Sequence, residues 1–240
     1  MAPGRFFGQL IGGTVDRHLA RCLLCGSGEE VHFGICNPCR HDLPNLGHSC
    51  QRCAIPLADL ADQQCATCLQ QPPPQTRSYA SWCYAYPVSQ LIQRFKYRRD
   101  LTAGRTLAEL TAERLKDQIT GAQRPDLLVP VPMHWRKQLF ERGYNQARLI
   151  ADILGKHWRI PVDARALRKI TATSSQQKLT RTQRRKNLIR SFEAQTQVQG
   201  QHIGLVDDVI TTGATQEAAA QSLLDAGAKR VTSIALARTP

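Results

Sequence analysis

The apolar positions of the chain change period along its length, and from residue 79 onward they alternate between strand-like and helix-like stretches. Residues 79–86 are aromatic and strand-like, and 88–95 set Leu91, Ile92 and Phe95 at helical spacing before a basic end, Arg94, Lys96, Arg98 and Arg99. Residues 101–119 carry Ala108, Ala112, Leu115 and Ile119 on one face, with Gly121 and Pro125 to stop the helix. The run 127–132, Leu-Leu-Val-Pro-Val-Pro, reads as a buried strand that leaves its sheet where the prolines withhold ladder donors. Ala147, Ile150, Ala151 and Leu154 form a helical stripe closed by Gly155. A short strand is expected near 162–167, a strand and helix over 202–227, and a last strand at 230–236 that closes the sheet.

Strands alternating with helices predict an α/β fold with a parallel sheet, whose ligands sit beyond the carboxyl ends of the strands. Two candidate sites fall at such ends, Val131-Pro132 and Asp207-Asp208, and they are expected to face one crevice. After the two acids come Val209, Ile210 and then Thr211-Thr212-Gly213-Ala214-Thr215, a loop of hydroxyls and a glycine opening a helix. Such a loop offers backbone N–H groups, hydroxyls and a helix N-terminus to a phosphate, while the acids can hold sugar hydroxyls or a hydrated metal.

Ahead of this part the pattern is different. Eight of the nine cysteines form CxxC pairs, Cys22/Cys25, Cys36/Cys39, Cys50/Cys53 and Cys65/Cys68, with 10, 10 and 11 residues between successive pairs. Two such pairs complete a closed tetrahedral zinc site, so one or two structural zinc ions are expected, with the metal supplying folding energy that few large apolar residues could supply. The spacing leaves open whether neighbouring pairs join or interleave, and an iron–sulfur cluster is the minor alternative. Disulfides suit a secreted chain, and residues 1–14 lack the uninterrupted apolar core of a signal peptide. Cys83 stands apart and reads as a small buried residue. The proline run at 72–74 marks a boundary between a Cys-rich domain, 1–71, and the α/β domain, 72–240.

With 32 Lys and Arg against 19 acids, the formal charge of +13 points to polyanionic partners, nucleic acids or phosphorylated metabolites. No stretch is apolar for long enough to cross a membrane, so no membrane insertion and a cytoplasmic location are expected. Between Arg165 and Arg190 lie nine Lys or Arg and no acid, a polar basic stretch expected to contact an anion beside the site or to meet nucleic acid.

The cysteine-rich front, the blocks Val129-Pro130-Val131-Pro132 and Arg142-Gly143-Tyr144-Asn145-Gln146-Ala147, and the run 206–215 together resemble the ComF family over nearly the whole chain. The resemblance implies an N-terminal double zinc ribbon followed by a type I phosphoribosyltransferase domain that binds 5-phosphoribosyl 1-pyrophosphate (PRPP) with magnesium. It implies that Asp207 and Asp208 hold the ribose hydroxyls and that Thr211, Thr212, Gly213, Ala214 and Thr215 wrap the 5-phosphate. Val131, Pro132, Met133 and His134 match the loop facing pyrophosphate, and the stretch with Lys178, Arg181, Arg184 and Arg185 corresponds to a lid. It further implies a role in DNA uptake, natural transformation or use of external DNA. The chain is then either an enzyme transferring phosphoribosyl to an unidentified acceptor, or a single-stranded-DNA-binding factor that uses PRPP or a nucleotide as a regulatory ligand. Other DNA-uptake proteins are the implied partners. Gly204 departs from the pattern, standing where an aliphatic residue is usual, which predicts looser packing behind the loop. The Arg142–Gln146 block and the stretch 96–100 recur in the family without an assigned role.

Overall fold

The computed structural model describes residues 21–133, 143–170 and 191–240. They belong to two compact units, Met1–Leu43 and Pro44–Pro240. In the first, β1 (Val31–His32) and β2 (Ile35–Cys36) form an antiparallel hairpin followed by the short helix α1 (Asn37–His41). Its turn places Phe33 at φ 51° and Gly34 at φ 81°, the doubly positive backbone that a tight two-residue hairpin requires.

The second unit opens with the other cysteine group and α2 (Ala66–Gln70), then β3 (Arg77–Cys83), α3 (Val88–Tyr97), α4 (Leu101–Leu115), β4 (Leu127–Pro130) and α5 (Gln146–Trp158). A small antiparallel ribbon, β5 (Leu167–Lys169) with β6 (Phe192–Ala194), flanks the basic stretch. There follow β7 (His202–Ile210), α6 (Ala214–Asp225) and β8 (Arg230–Arg238). The main sheet has the order β3-β8-β7-β4 with every pairing parallel. All of β7 except Asp207 and all of β8 except Arg230 are buried, as expected of central strands covered on both faces. Helix α4 packs on β3 and β8, α5 on β4 and β7, and α6 on β7 and β8.

The helical stripes match the core. Leu91, Ile92 and Phe95 of α3, Ala108, Ala112 and Leu115 of α4, and Ala147, Ile150, Ala151 and Leu154 of α5 are all buried, as is Ile119 beyond the end of α4. The N-caps are polar: Asp100 accepts from Ala103 N at 3.0 Å and Asn145 from Ala147 N at 3.0 Å.

Five expectations change. The stretch 162–167 is not a strand of the sheet; Val162 makes a single parallel bridge to Leu128, and β5 lies in the separate ribbon. The last strand does not close the sheet at an edge but runs between β3 and β7. Gly155 does not end α5, which continues to Trp158; a Cβ there would lie 2.5 Å from Val162 Cγ2 and 2.8 Å from Ile160 O, so this glycine permits a close approach. Gly204 likewise tightens rather than loosens its surroundings, since a Cβ would sit 2.6 Å from Leu128 Cδ2 and 2.9 Å from Pro125 Cγ. Cys83, expected to be buried, is partly exposed, with Sγ 3.8 Å from Asn45 O.

Candidate functional site

Side chains of a strand point alternately to its two faces, so adjacent acids on β7 part company. Asp207 turns towards α6, where its Oδ2 accepts from Gln216 Nε2 at 2.9 Å and its Oδ1 from Asp208 N at 2.9 Å. Asp208 turns towards α3 and pairs with Lys96, Nζ to Oδ1 2.8 Å. Desolvation, with the Asp208 carboxylate alongside, pushes Asp207 up to about 7 despite these hydrogen bonds and the nearby Lys96. The site thus holds one carboxylate paired to a cation and one poised between charged and neutral.

Beyond Ile210 the chain turns through exposed Thr211 and Thr212 into Gly213 at φ 84°, which caps α6. Ala214 N points to Thr212 Oγ1 at 3.4 Å. With no side-chain cap on α6, the first-turn N–H groups and the hydroxyls of Thr211, Thr212 and Thr215 stand at one helix end, the arrangement that receives a phosphate.

The second strand end lies beside the first. Pro130 is in register with Val206, and Val131 N donates to Val206 O at 2.8 Å, which carries Val131, Pro132 and Met133 along the acidic turn. Asn145 holds this segment by donating from Nδ2 to Val131 O at 3.1 Å while capping α5. Tyr144 donates its hydroxyl to Phe95 O and lies against the Phe95 ring, centroids 5.6 Å apart. The block without an assigned role is therefore a brace: Asn145 steadies the Val131 loop and Tyr144 steadies the end of α3 that carries Lys96. His134, Arg142, Lys178, Arg181, Arg184 and Arg185 lie outside the described residues.

Sequence reasoning missed Lys96, Gln216 and Arg238. The basic end of α3 was a signal for Lys96; nothing in the sequence tied Gln216 to Asp207. Arg238, 6% exposed, donates from Nη1 to Ile210 O at 3.2 Å and to the carbonyls of Thr211 and Thr239.

The cysteines close into two groups in chain order, Cys22, Cys25, Cys36 and Cys39, and Cys50, Cys53, Cys65 and Cys68, each with its sulfur atoms within 4.8 Å of one another. Cys25 and Cys36 Sγ are 3.6 Å apart and Cys53 and Cys65 Sγ 3.7 Å, close to the roughly 3.8 Å between sulfurs on one tetrahedral zinc with bonds of about 2.3 Å. Burial raises Cys22, but the N–H groups of Cys25, Cys36 and Leu24 outweigh it and bring the thiol down to about 6; similar groups at Cys65, Cys53 and Arg52 bring Cys50 to about 7. Both donor sets therefore fit structural zinc: one thiol in each, Cys22 or Cys50, ionises readily, while burial holds Cys39, Cys53 and Cys68 above the ordinary thiol value until a metal takes their protons' place. Among the described residues no histidine joins either group.

Residues 20–77 match the model of the double zinc ribbon domain and residues 140–240 that of the phosphoribosyl transferase domain, so the molecule combines zinc ribbons with a type I phosphoribosyltransferase-like fold. It is 35% identical over 222 residues to the DNA utilization protein YhgH of Salmonella typhimurium, spanning 91% of this chain and 96% of that one. It is also 32% identical over 224 residues to competence protein F of Haemophilus influenzae, with the same shares, and 28% identical over 247 residues to competence protein ComFC of Bacillus subtilis, spanning 92% and 96%. The chain belongs to the ComF family. Among solved structures, the glutamine PRPP amidotransferase of B. subtilis superposes with a TM-score of 0.41 at 18% identity, covering 60% of this chain and 30% of that one.

Proposed function

We propose that this protein binds PRPP with magnesium in the crevice between the Val131 and Asp208 strand ends, and transfers its phosphoribosyl group to an acceptor during the use of external DNA. The observation that carries the reading is the ion pair of Lys96 with Asp208 beside the 211–215 loop, because it sets both signs of charge next to a phosphate-type cradle. Displacement of pyrophosphate from an anomeric carbon builds positive charge on the ribose and negative charge on the leaving group.

In this reading Asp208 and Asp207 accept hydrogen bonds from the ribose hydroxyls and stabilise the developing positive charge. The N–H groups and hydroxyls of Thr211, Thr212, Gly213, Ala214 and Thr215 hold the 5-phosphate. Lys96, released from Asp208 as ribose binds, faces the pyrophosphate with Val131, Pro132, Met133 and His134, and Lys178, Arg181, Arg184 and Arg185 close over it. Magnesium, a hard ion that retains waters and favours phosphate oxygens, would come with PRPP and neutralise the leaving group.

The relatives' names, DNA utilization and competence, and a formal charge of +13 favour single-stranded DNA as a partner, with other DNA-uptake proteins, and a place in the cytoplasm. They also support a second reading, in which PRPP regulates DNA binding without being consumed. Among the described residues no helix is long and apolar enough to cross a membrane. Calorimetry with PRPP and magnesium tests the site: heat is expected from the wild type and none from Asp208→Ala, and equal heats would overturn it. Pyrophosphate released on adding bases or DNA would establish transfer; PRPP binding without release, with DNA affinity altered, would establish the regulatory reading.

A further inference from the structure

The second four-cysteine group is fastened to the sheet through three successive carbonyls. Ser78 N donates to Gln51 O at 2.8 Å, Ser78 Oγ to Arg52 O at 2.6 Å, and Arg238 Nε to Cys53 O at 2.9 Å. The last of these bonds belongs to the same buried guanidinium whose Nη1 donates to Ile210, Thr211 and Thr239 carbonyls. One planar group thus joins a zinc knuckle on one side to the first residues of the phosphate loop on the other. A guanidinium suits this because its donors diverge from a rigid fork, whereas an ammonium is a single point.

The bond to Thr211 O has a directional consequence. Across a trans peptide the C=O and the following N–H point opposite ways. Holding the Thr211 carbonyl on Arg238 therefore turns the Thr212 N–H away from it, to the side of the loop on which a phosphate would be received. We propose that Arg238 is a positioning residue coupling metal occupancy of the second four-cysteine group to the order of the 211–215 loop. Without metal the 50–53 knuckle loses its closure, Cys53 O no longer anchors the fork, and the Thr211 peptide is free to rotate. The first group shares none of these bonds. If the loop holds PRPP, as the proposed function has it, zinc loss at the second group weakens PRPP binding, and by reciprocity PRPP slows zinc release from that group.

The test uses the full-length zinc-loaded chain, with amide hydrogen exchange at the loop's junction with α6, residues 209–217, as the readout. Cys68→Ser opens the second group without altering the 50–53 knuckle's own residues, and Cys39→Ser opens the first. Exchange at Glu217, whose N–H is protected by donating to Gly213 O at 2.9 Å, is expected to rise roughly tenfold in Cys68→Ser and to stay unchanged in Cys39→Ser. Arg238→Lys is expected to raise it similarly although metal analysis still finds zinc at both groups, and this variant decides the matter should Cys68→Ser fail to fold. Unchanged loop exchange in Arg238→Lys, or an equal rise in Cys39→Ser, would overturn the coupling. Because exchange is read without ligand, a wild type that gives no PRPP heat overturns the proposed function and not this link. A wild type that binds PRPP while its loop is indifferent to Arg238→Lys overturns this link and not the function.

Discussion

Lys96 Nζ lies 2.8 Å from Asp208 Oδ1, and the two side chains, at the end of α3 and on β7, are 17% and 10% exposed. A pair so withdrawn from water depends on both members, since either alone leaves a charge without compensation. Lys96→Met is therefore expected to destabilise the fold by about 2 kcal/mol and to weaken PRPP binding at least about tenfold. Urea unfolding and calorimetry measure the two. A double-mutant cycle with Asp208→Asn is expected to show strong coupling, and additive effects would mean that the pair is incidental.

Asp207 supplies a pH dependence whose sign is fixed. Its native carboxyl titrates near 7, against about 3.9 in an unfolded chain. Between these values the native state binds more protons, so this group makes stability fall as pH rises through the window and leaves it level above it. Asp207→Asn is expected to flatten the slope of melting temperature against pH between about 4 and 7. Parallel slopes in variant and wild type would remove the assignment. PRPP affinity is expected to run the other way, rising with pH as the carboxylate forms to accept ribose hydroxyls.

Asn145 performs two tasks that separate by substitution. Asn145→Asp keeps an acceptor for Ala147 N and loses the donor to Val131 O, whereas Asn145→Ala loses both. The alanine variant is expected to lose about 1 kcal/mol of stability, and the aspartate variant to keep most of that cap energy. Both are expected to bind PRPP more weakly. Full affinity in the aspartate variant would show that the Val131 loop does not need its brace.

Metal analysis of the purified chain is expected to find about two zinc ions. Within the described part of the first unit, Ile35 and Leu43 are the large aliphatic residues in the core, too little to hold the β1–β2 hairpin unaided. Chelation is therefore expected to unfold residues 21–43 while the parallel sheet persists. Proteolysis that cuts both parts equally, or neither, after complete chelation would contradict this.

Much of this was legible in the residues because the signals are local. The stripe of Ala147, Ile150, Ala151 and Leu154 needs only helical spacing, and the cysteine groups close in the simplest order their spacing allows. The acidic turn and its hydroxyl loop are contiguous. What escaped are relations between segments distant in sequence: Lys96 with Asp208, Gln216 with Asp207, Arg238 with Cys53 and Thr211. Glycine misled for a related reason. At Gly155 and Gly204 its absent side chain answers to a neighbour across the fold, which a reading of local breakers and propensities cannot see.

Leu128 touches both of those glycines: its Cδ2 lies 2.6 Å from where a Cβ on Gly204 would stand, and its Cδ1 3.8 Å from one on Gly155. The three positions therefore share one fixed volume beneath the acidic turn. A relative that carries an aliphatic residue at the position of Gly204 must surrender bulk at that of Leu128, or move Pro125 aside. Substitutions at these places should accordingly be inherited together, and a change harmful alone should be tolerated in company.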